Sequence, residues 1–161
     1  RGLRKDALLR KIAILKRMIA FSRSVPDRWN DHARLADTPK GIGIHALNLD
    51  IDVGPLLQVR KLLTSVEFAK RHGFDGSLSA AELEMMNLTG DGSGFEMVMM
   101  PDRLREKIPT SNFFQRGGYE RNPVAATNNT VAKLIAATNT KMDTEAQLNG
   151  ARTLAALFEK F

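Results

Sequence analysis

DGSLSAAELEMMNLTGDG, residues 75–92, places one short helix between two glycine-containing turns. Ser79 stands where a helix N-cap is needed, and Glu82 three residues later has capping-box spacing, so each side chain can take up a backbone amide near the other. Leu83 and Met86 then face inward, and the helix is expected to end near Leu88. After the turn Gly90–Gly94, Phe95–Met100 is an apolar run that periodicity leaves open between a strand and a helix start. Pro101 suggests a new helix through Lys107.

Upstream, Leu8, Ile12, Leu15 and Ile19, reinforced by Leu9, Met18 and Ala20, recur at helical spacing among Lys and Arg, which predicts an amphipathic helix over 3–21. Ser24–Lys40, with Pro26, Trp29 and Pro39, reads as an ordered loop. Leu47, Leu49, Ile51 and Val53 alternate with Asn48, Asp50 and Asp52, which predicts a short strand ended by Gly54 and Pro55. Pro55 then opens a helix through about His72, on which Leu56, Val59, Leu62, Leu63, Val66 and Phe68 form the apolar face.

Downstream, residues 108–121 read as irregular, and Asn122-Pro123 caps and starts a helix whose inward positions include Val131, Leu134 and Ile135. A last helix is expected from Asp143, with Thr144 and Gln147 at capping-box spacing and Leu148, Ala151, Leu154, Leu157 and Phe161 as its core stripe. The fold class that follows is mainly α: one globular domain over 1–161, of about five or six helices with one small β element. The segment 71–98 is a loop–helix–loop within it.

At 161 residues and 43% hydrophobic, the chain can bury a core without crosslinks. It has no cysteine, which excludes disulfides, Cys-ligated zinc, iron–sulfur clusters and thiol nucleophiles. The net charge of +6 favours anionic partners, whether nucleic acid or another anionic polymer, an acidic membrane, an acidic protein or a cell-wall glycan. The excess is polarised toward the N-terminus, where Arg1, Arg4, Lys5, Arg10, Lys11, Lys16, Arg17, Arg23 and Arg28 face only Asp6 and Asp27. No apolar run approaches the roughly 18 residues of a membrane span. Arg at position 1 suggests a processed or excised piece of a longer chain. The absence of cysteine suits cytoplasm, periplasm or a secretion route alike, and a periplasmic or secreted setting is only slightly favoured.

Counted as a calcium loop from Arg71, the chain places Asp75 fifth, Gly76 sixth, Leu78 eighth, Ser79 ninth and Glu82 twelfth. Counted from Asn87, it places Thr89 third, Asp91 fifth and Gly92 sixth. This spacing resembles compact bacterial EF-hand pairs. The resemblance implies Asp75, Ser79, Glu82, Asn87, Thr89 and Asp91 as ligands and Ca2+ as the ion, with no other cofactor expected. Arg71 and Gly73 stand where ligands belong, and Val98 replaces the bidentate Glu.

GDGSGFEMVMMP, residues 90–101, resembles the turn and strand after the catalytic Glu of goose-type lysozymes and lytic transglycosylases. The resemblance implies a peptidoglycan hydrolase with Glu82 or Glu84 as general acid and Asp91 as second carboxylate. Leu83 stands where that family has Ser. GIGIH, residues 41–45, resembles the sheet of phage-type lysozymes, but residues 1–40 contain no Glu to act as acid.

Asn48, Asp50 and Asp52 would share one strand face and form a cation or substrate site, or simply a solvated face. His32, His45 and His72 lack metal-site spacing. SNFFQRGGYERNP, residues 111–123, offers Phe113, Phe114, Arg116, Tyr119 and Arg121 for stacking on sugars or bases, though Phe113 and Phe114 equally suit a core. With no complete catalytic set, the leading expectation is a noncatalytic bacterial binding domain with an anionic partner. A cell-wall glycan hydrolase and a calcium-stabilised secreted module are the alternatives.

Overall fold

A computed structural model of the chain describes residues 2–25, 28, 34–35, 38–39 and 46–159. Among these residues the protein is mainly α-helical, and the β content is one isolated bridge between Pro109 and Thr130. By internal contacts the chain divides into two units, Arg1–Arg60 and Lys61–Phe161.

In the first unit, α1 spans Gly2–Arg23. From Leu3 onward it contains neither Gly nor Pro and is rich in Leu, Ala, Lys and Arg, all strong helix formers. Arg23 sits in its last turn, where a cation opposes the negative end of the helix dipole. The Ser24 amide donates to the Phe21 carbonyl at 3.0 Å and closes the helix. Residues 46–53 form turns rather than the expected strand. The cause is local: the Asp50 carboxylate accepts the amides of Asp52 (3.0 Å) and Val53 (3.1 Å), and this side-chain competition folds the backbone back. Leu49 and Ile51 are 75% and 84% exposed, so the alternation of apolar residues does not mark a buried face. The helix α2, Gly54–Arg71, follows with Pro55 in its first turn. Trp29, His32 and the segment 41–45 lie outside the described residues, as does most of the expected loop 24–40.

The second unit opens on Lys61 within α2. After residues 72–79 come α3 (Ala80–Thr89) and α4 (Asp91–Met99), separated by Gly90 alone. Gly90 has φ +89°, a conformation that glycine reaches without the Cβ clash other residues meet, so one residue ends one helix and starts the next. Of the segment 95–100, left open between strand and helix, Phe95 to Met99 are helical and Met100 is the extended C-cap. Next come α5 (Asp102–Arg105), a 3-10 turn (Thr110–Asn112), α6 (Arg116–Glu120) and α7 (Pro123–Thr127). Two longer helices, α8 (Val131–Ala146) and α9 (Asn149–Phe158), complete the unit.

Asn122 caps α7 through the Ala125 amide at 3.0 Å, as its pairing with Pro123 suggests. The helix stops at Asn128, and Thr130 caps α8 anew through the Lys133 amide. Asp143 does not start the last helix. Residues 143–146 belong to α8, and Thr144 Oγ1 donates back to the Thr140 carbonyl at 2.8 Å instead of capping.

The core is built from Ala81 and Met85 of α3, Met97 and Val98 of α4, Ala125 of α7, and Val131, Leu134 and Ile135 of α8. Met86 of α3 is also fully buried. The helices α3 and α4 approach closely at Gly94, where an added Cβ would stand 2.3 Å from the Met86 Cα. Buried Thr110 donates to the Ala125 carbonyl at 3.0 Å, leaving no orphaned hydroxyl beneath α7. Leu148, Leu154 and Leu157 are largely exposed, so the stripe expected to serve the core in the last helix remains on the surface. The same holds for Leu56, Val59 and Leu63 of α2.

Candidate functional site

Glu82, Glu84 and Asp91, which the sequence groups in 75–92, each have a hydrogen-bond partner of their own. Ser79 and Glu82 form the capping box of α3: Ser79 Oγ accepts the Glu82 amide at 3.2 Å, and Glu82 Oε2 accepts the Ser79 amide at 2.8 Å. Glu84 lies two residues on, roughly 200° around the helix from Glu82, and accepts from Asn87 Nδ2 at 3.1 Å. Thr89 Oγ1 donates to the Met85 carbonyl at 2.8 Å. Asp75 is exposed in the loop before α3.

Asp91, at the first residue of α4, has partners from α2. It accepts from Lys61 Nζ at 2.6 Å and from Ser65 Oγ at 2.7 Å, and Ser65 is fully buried. Burial pushes its carboxyl up, but the Lys61 and Ser65 hydrogen bonds outweigh this and hold it below the usual carboxylate range. The cluster ties α2 to α4. Neither Lys61 nor Ser65 entered the sequence reading, and the only sequence signal for them is a Lys and a Ser one turn apart on an amphipathic helix.

The twelve-residue loop counted from Arg71 has its positive φ at Gly73 (+82°) and not at Gly76, the sixth position, where an EF-hand turns sharply. The segment counted from Asn87 is helical on both sides of Gly90. Among the described residues, no group of three or more His, Asp or Glu side chains is placed to hold a metal ion. Asp50 and Asp52 share a cation, but it is Lys11, which ion-pairs with Asp50 and, at 3.1 Å, with Asp52. Lys11 holds the Asp50 carboxyl below its ordinary value, and Asp50 in turn raises the Lys11 ammonium.

Of the aromatic loop, Phe113, Phe114 and Tyr119 are half-buried against the core, with Phe114 and Tyr119 in an edge-to-face contact at 5.8 Å. Arg121 is exposed, and Arg116 begins α6. A second aromatic group, unforeseen from sequence, gathers His72 stacked on Phe68 (4.0 Å) with Phe95 edge-on to Phe68 (5.9 Å) and Phe74 (6.3 Å). A shallow depression lined by Asp102, Arg105, Glu106, Ile135 and Asn139 has its guanidinium already engaged. Arg105 Nε donates to the Met100 carbonyl at 2.8 Å and another guanidinium nitrogen donates to that of Val98, which caps the end of α4.

The helix α1 carries further exposed charge, as do Lys107, Lys133 and Arg152 elsewhere in the chain. Arg4, Lys5, Arg10, Lys16, Arg17 and Arg23 are exposed, and no ion pair involves them among the described residues. The helix contains one acid, Asp6. The chain matches no family model, no curated protein and no solved structure.

Proposed function

We propose that this chain is a noncatalytic binding domain with an anionic partner, and that α1 is the surface that meets it. The supporting observation is the set of exposed cations distributed around α1, unpaired among the described residues, with Asp6 as the only acid of the helix. Cations left solvated on one helix keep their full attraction for phosphate, sulfate or carboxylate groups, which paired cations such as Lys11 and Lys61 do not. The noncatalytic reading draws on the acids. Glu82 is engaged in a cap, Glu84 with Asn87, and Asp91 with Lys61 and Ser65, so each candidate acid already has a structural partner.

Binding of fluorescently labelled heparin, followed by anisotropy across a salt series, tests the proposal. Affinity should fall steeply as salt rises, because cations on the protein displace counterions from the polymer. Replacing Lys5, Arg10, Lys16 and Arg17 by Gln should flatten that dependence and weaken binding by about tenfold or more at low salt. Absent binding, or binding indifferent to salt, would refute it.

A further inference from the structure

The charges of α1 edge an apolar strip. At about 100° per residue, Leu8, Ile12, Leu15 and Ile19 fall within an arc of about 60°. Leu8 is 60% exposed, Ile12 38% and Ile19 37%, while Leu15 is half-buried at the border of the strip. Lys5, Lys16 and Arg23 line one flank of the strip. Arg4 lies on the other flank, beside Lys11, which is held by Asp50 and Asp52. Asp6 sits about 160° away from Leu8, on the far side of the helix. Leu9 and Ile14 are exposed elsewhere on the helix and do not extend this strip.

Three partners meet such a surface differently. A nucleic-acid duplex rewards the cations alone, and leaves Leu8, Ile12 and Ile19 in water. A second copy of α1 would cover the apolar residues but bring Lys5, Lys16 and Arg23 against the same row of cations, with Asp6 pointing away. An anionic bilayer answers both features. Its interface takes up exposed aliphatic side chains, while its phosphates accept the ammonium and guanidinium groups that flexible Lys and Arg stems lift to headgroup level.

We infer that α1 docks in the plane of an anionic lipid bilayer, with Leu8, Ile12 and Ile19 at the boundary between headgroups and acyl chains and Arg4, Lys5, Lys16 and Arg23 on lipid phosphates. The inference rests on the anion-binding reading above and narrows it to one partner. The contact is peripheral: no helix among the described residues is long and apolar enough to cross a membrane. With few inserted side chains it is also reversible and depends on both the charge and the apolar contribution.

The experiment compares sedimentation with vesicles of phosphatidylcholine, with and without phosphatidylglycerol, alongside heparin binding, for the parent and a Leu8→Gln, Ile12→Gln, Ile19→Gln triple variant. The parent should partition onto phosphatidylglycerol-containing vesicles at least about tenfold more strongly than onto phosphatidylcholine alone. The triple variant should lose about tenfold in vesicle binding yet bind heparin as the parent does, which also shows that its helix and charges are intact. Heparin or DNA binding without vesicle binding overturns the bilayer and leaves the anionic reading standing; binding to none of them overturns both. A triple variant that binds vesicles like the parent removes the apolar strip from the contact. A parent dimer that the triple substitution dissociates assigns the strip to a second copy and overturns the inference.

Discussion

Gly94 and Gly92 lie in the same helix two residues apart, and replacing each by Ala should move stability in opposite directions. A Cβ at Gly94 would stand 2.3 Å from the Met86 Cα, 2.5 Å from the Met86 nitrogen and 2.6 Å from the Met85 carbonyl carbon. All three are backbone atoms, so no side chain can swing aside. Restoring ordinary contact requires α3 and α4 to part by about 1 Å, a gap at which the atoms lining it lose up to about half of their dispersion energy. The side chains concerned are the fully buried Met85, Met86 and Met97. Overpacking of this kind costs about 3 kcal/mol, and the better helix propensity of Ala returns about 1 kcal/mol. The net loss of about 2 kcal/mol corresponds to a fall in Tm on the order of 8 °C for a unit of this size. Nothing lies within 4 Å of a Cβ at Gly92, so Gly92→Ala should be neutral or up to about 1 kcal/mol more stable. Thermal and urea unfolding by far-UV circular dichroism would measure both. A Gly94→Ala variant as stable as the parent, or two variants shifted alike, would refute the close-packed helix pair.

Two further outcomes follow from the same unit. The Asp91 carboxyl is held below its usual range, so the stabilisation it contributes is complete above its unfolded value of about 4 and is lost as pH falls through the folded value. Asp91→Asn should therefore be less stable than the parent at neutral pH by about 1 kcal/mol and lose less on acidification below about pH 4, as read from urea midpoints across pH. Equal acid sensitivity of the two would remove Asp91 from the titration. Removing the capping hydroxyl with Ser79→Ala should cost about 1 kcal/mol, seen as a lower urea midpoint with an unchanged slope; an unmoved midpoint would mean that the box adds nothing in solution.

Features encoded by neighbouring residues were legible. Ser79 and Glu82 announce the start of α3, and both side chains act as their spacing requires. The long apolar and basic run of α1 forms the expected helix. What failed was the inference from pattern to burial. Leu47, Leu49, Ile51 and Val53 alternate as a half-buried strand would, yet the carboxylate of Asp50 competes for local amides and shapes turns. Leu154 and Leu157 recur at helical spacing, but periodicity cannot show whether anything lies opposite them. The partners of the candidate site residues were hidden for a related reason. Glu82, Glu84 and Asp91 are close in sequence, whereas the partners that fix Asp91 come from 30 and 26 residues upstream, and nothing in the residues around Asp91 points to Lys61 and Ser65.

The single-residue joint at Gly90 leaves α3 and α4 without slack. A residue inserted there would rotate α4 by about 100° relative to α3, carrying Gly94 out of the contact and turning Met97 and Val98 away from the core. Deleting the glycine would remove the only residue of the joint able to take the positive φ. Length at this point is thus as fixed as residue identity, and descendants of this sequence can vary the polar faces of both helices while the spacing between Met86 and Gly94 stays constant.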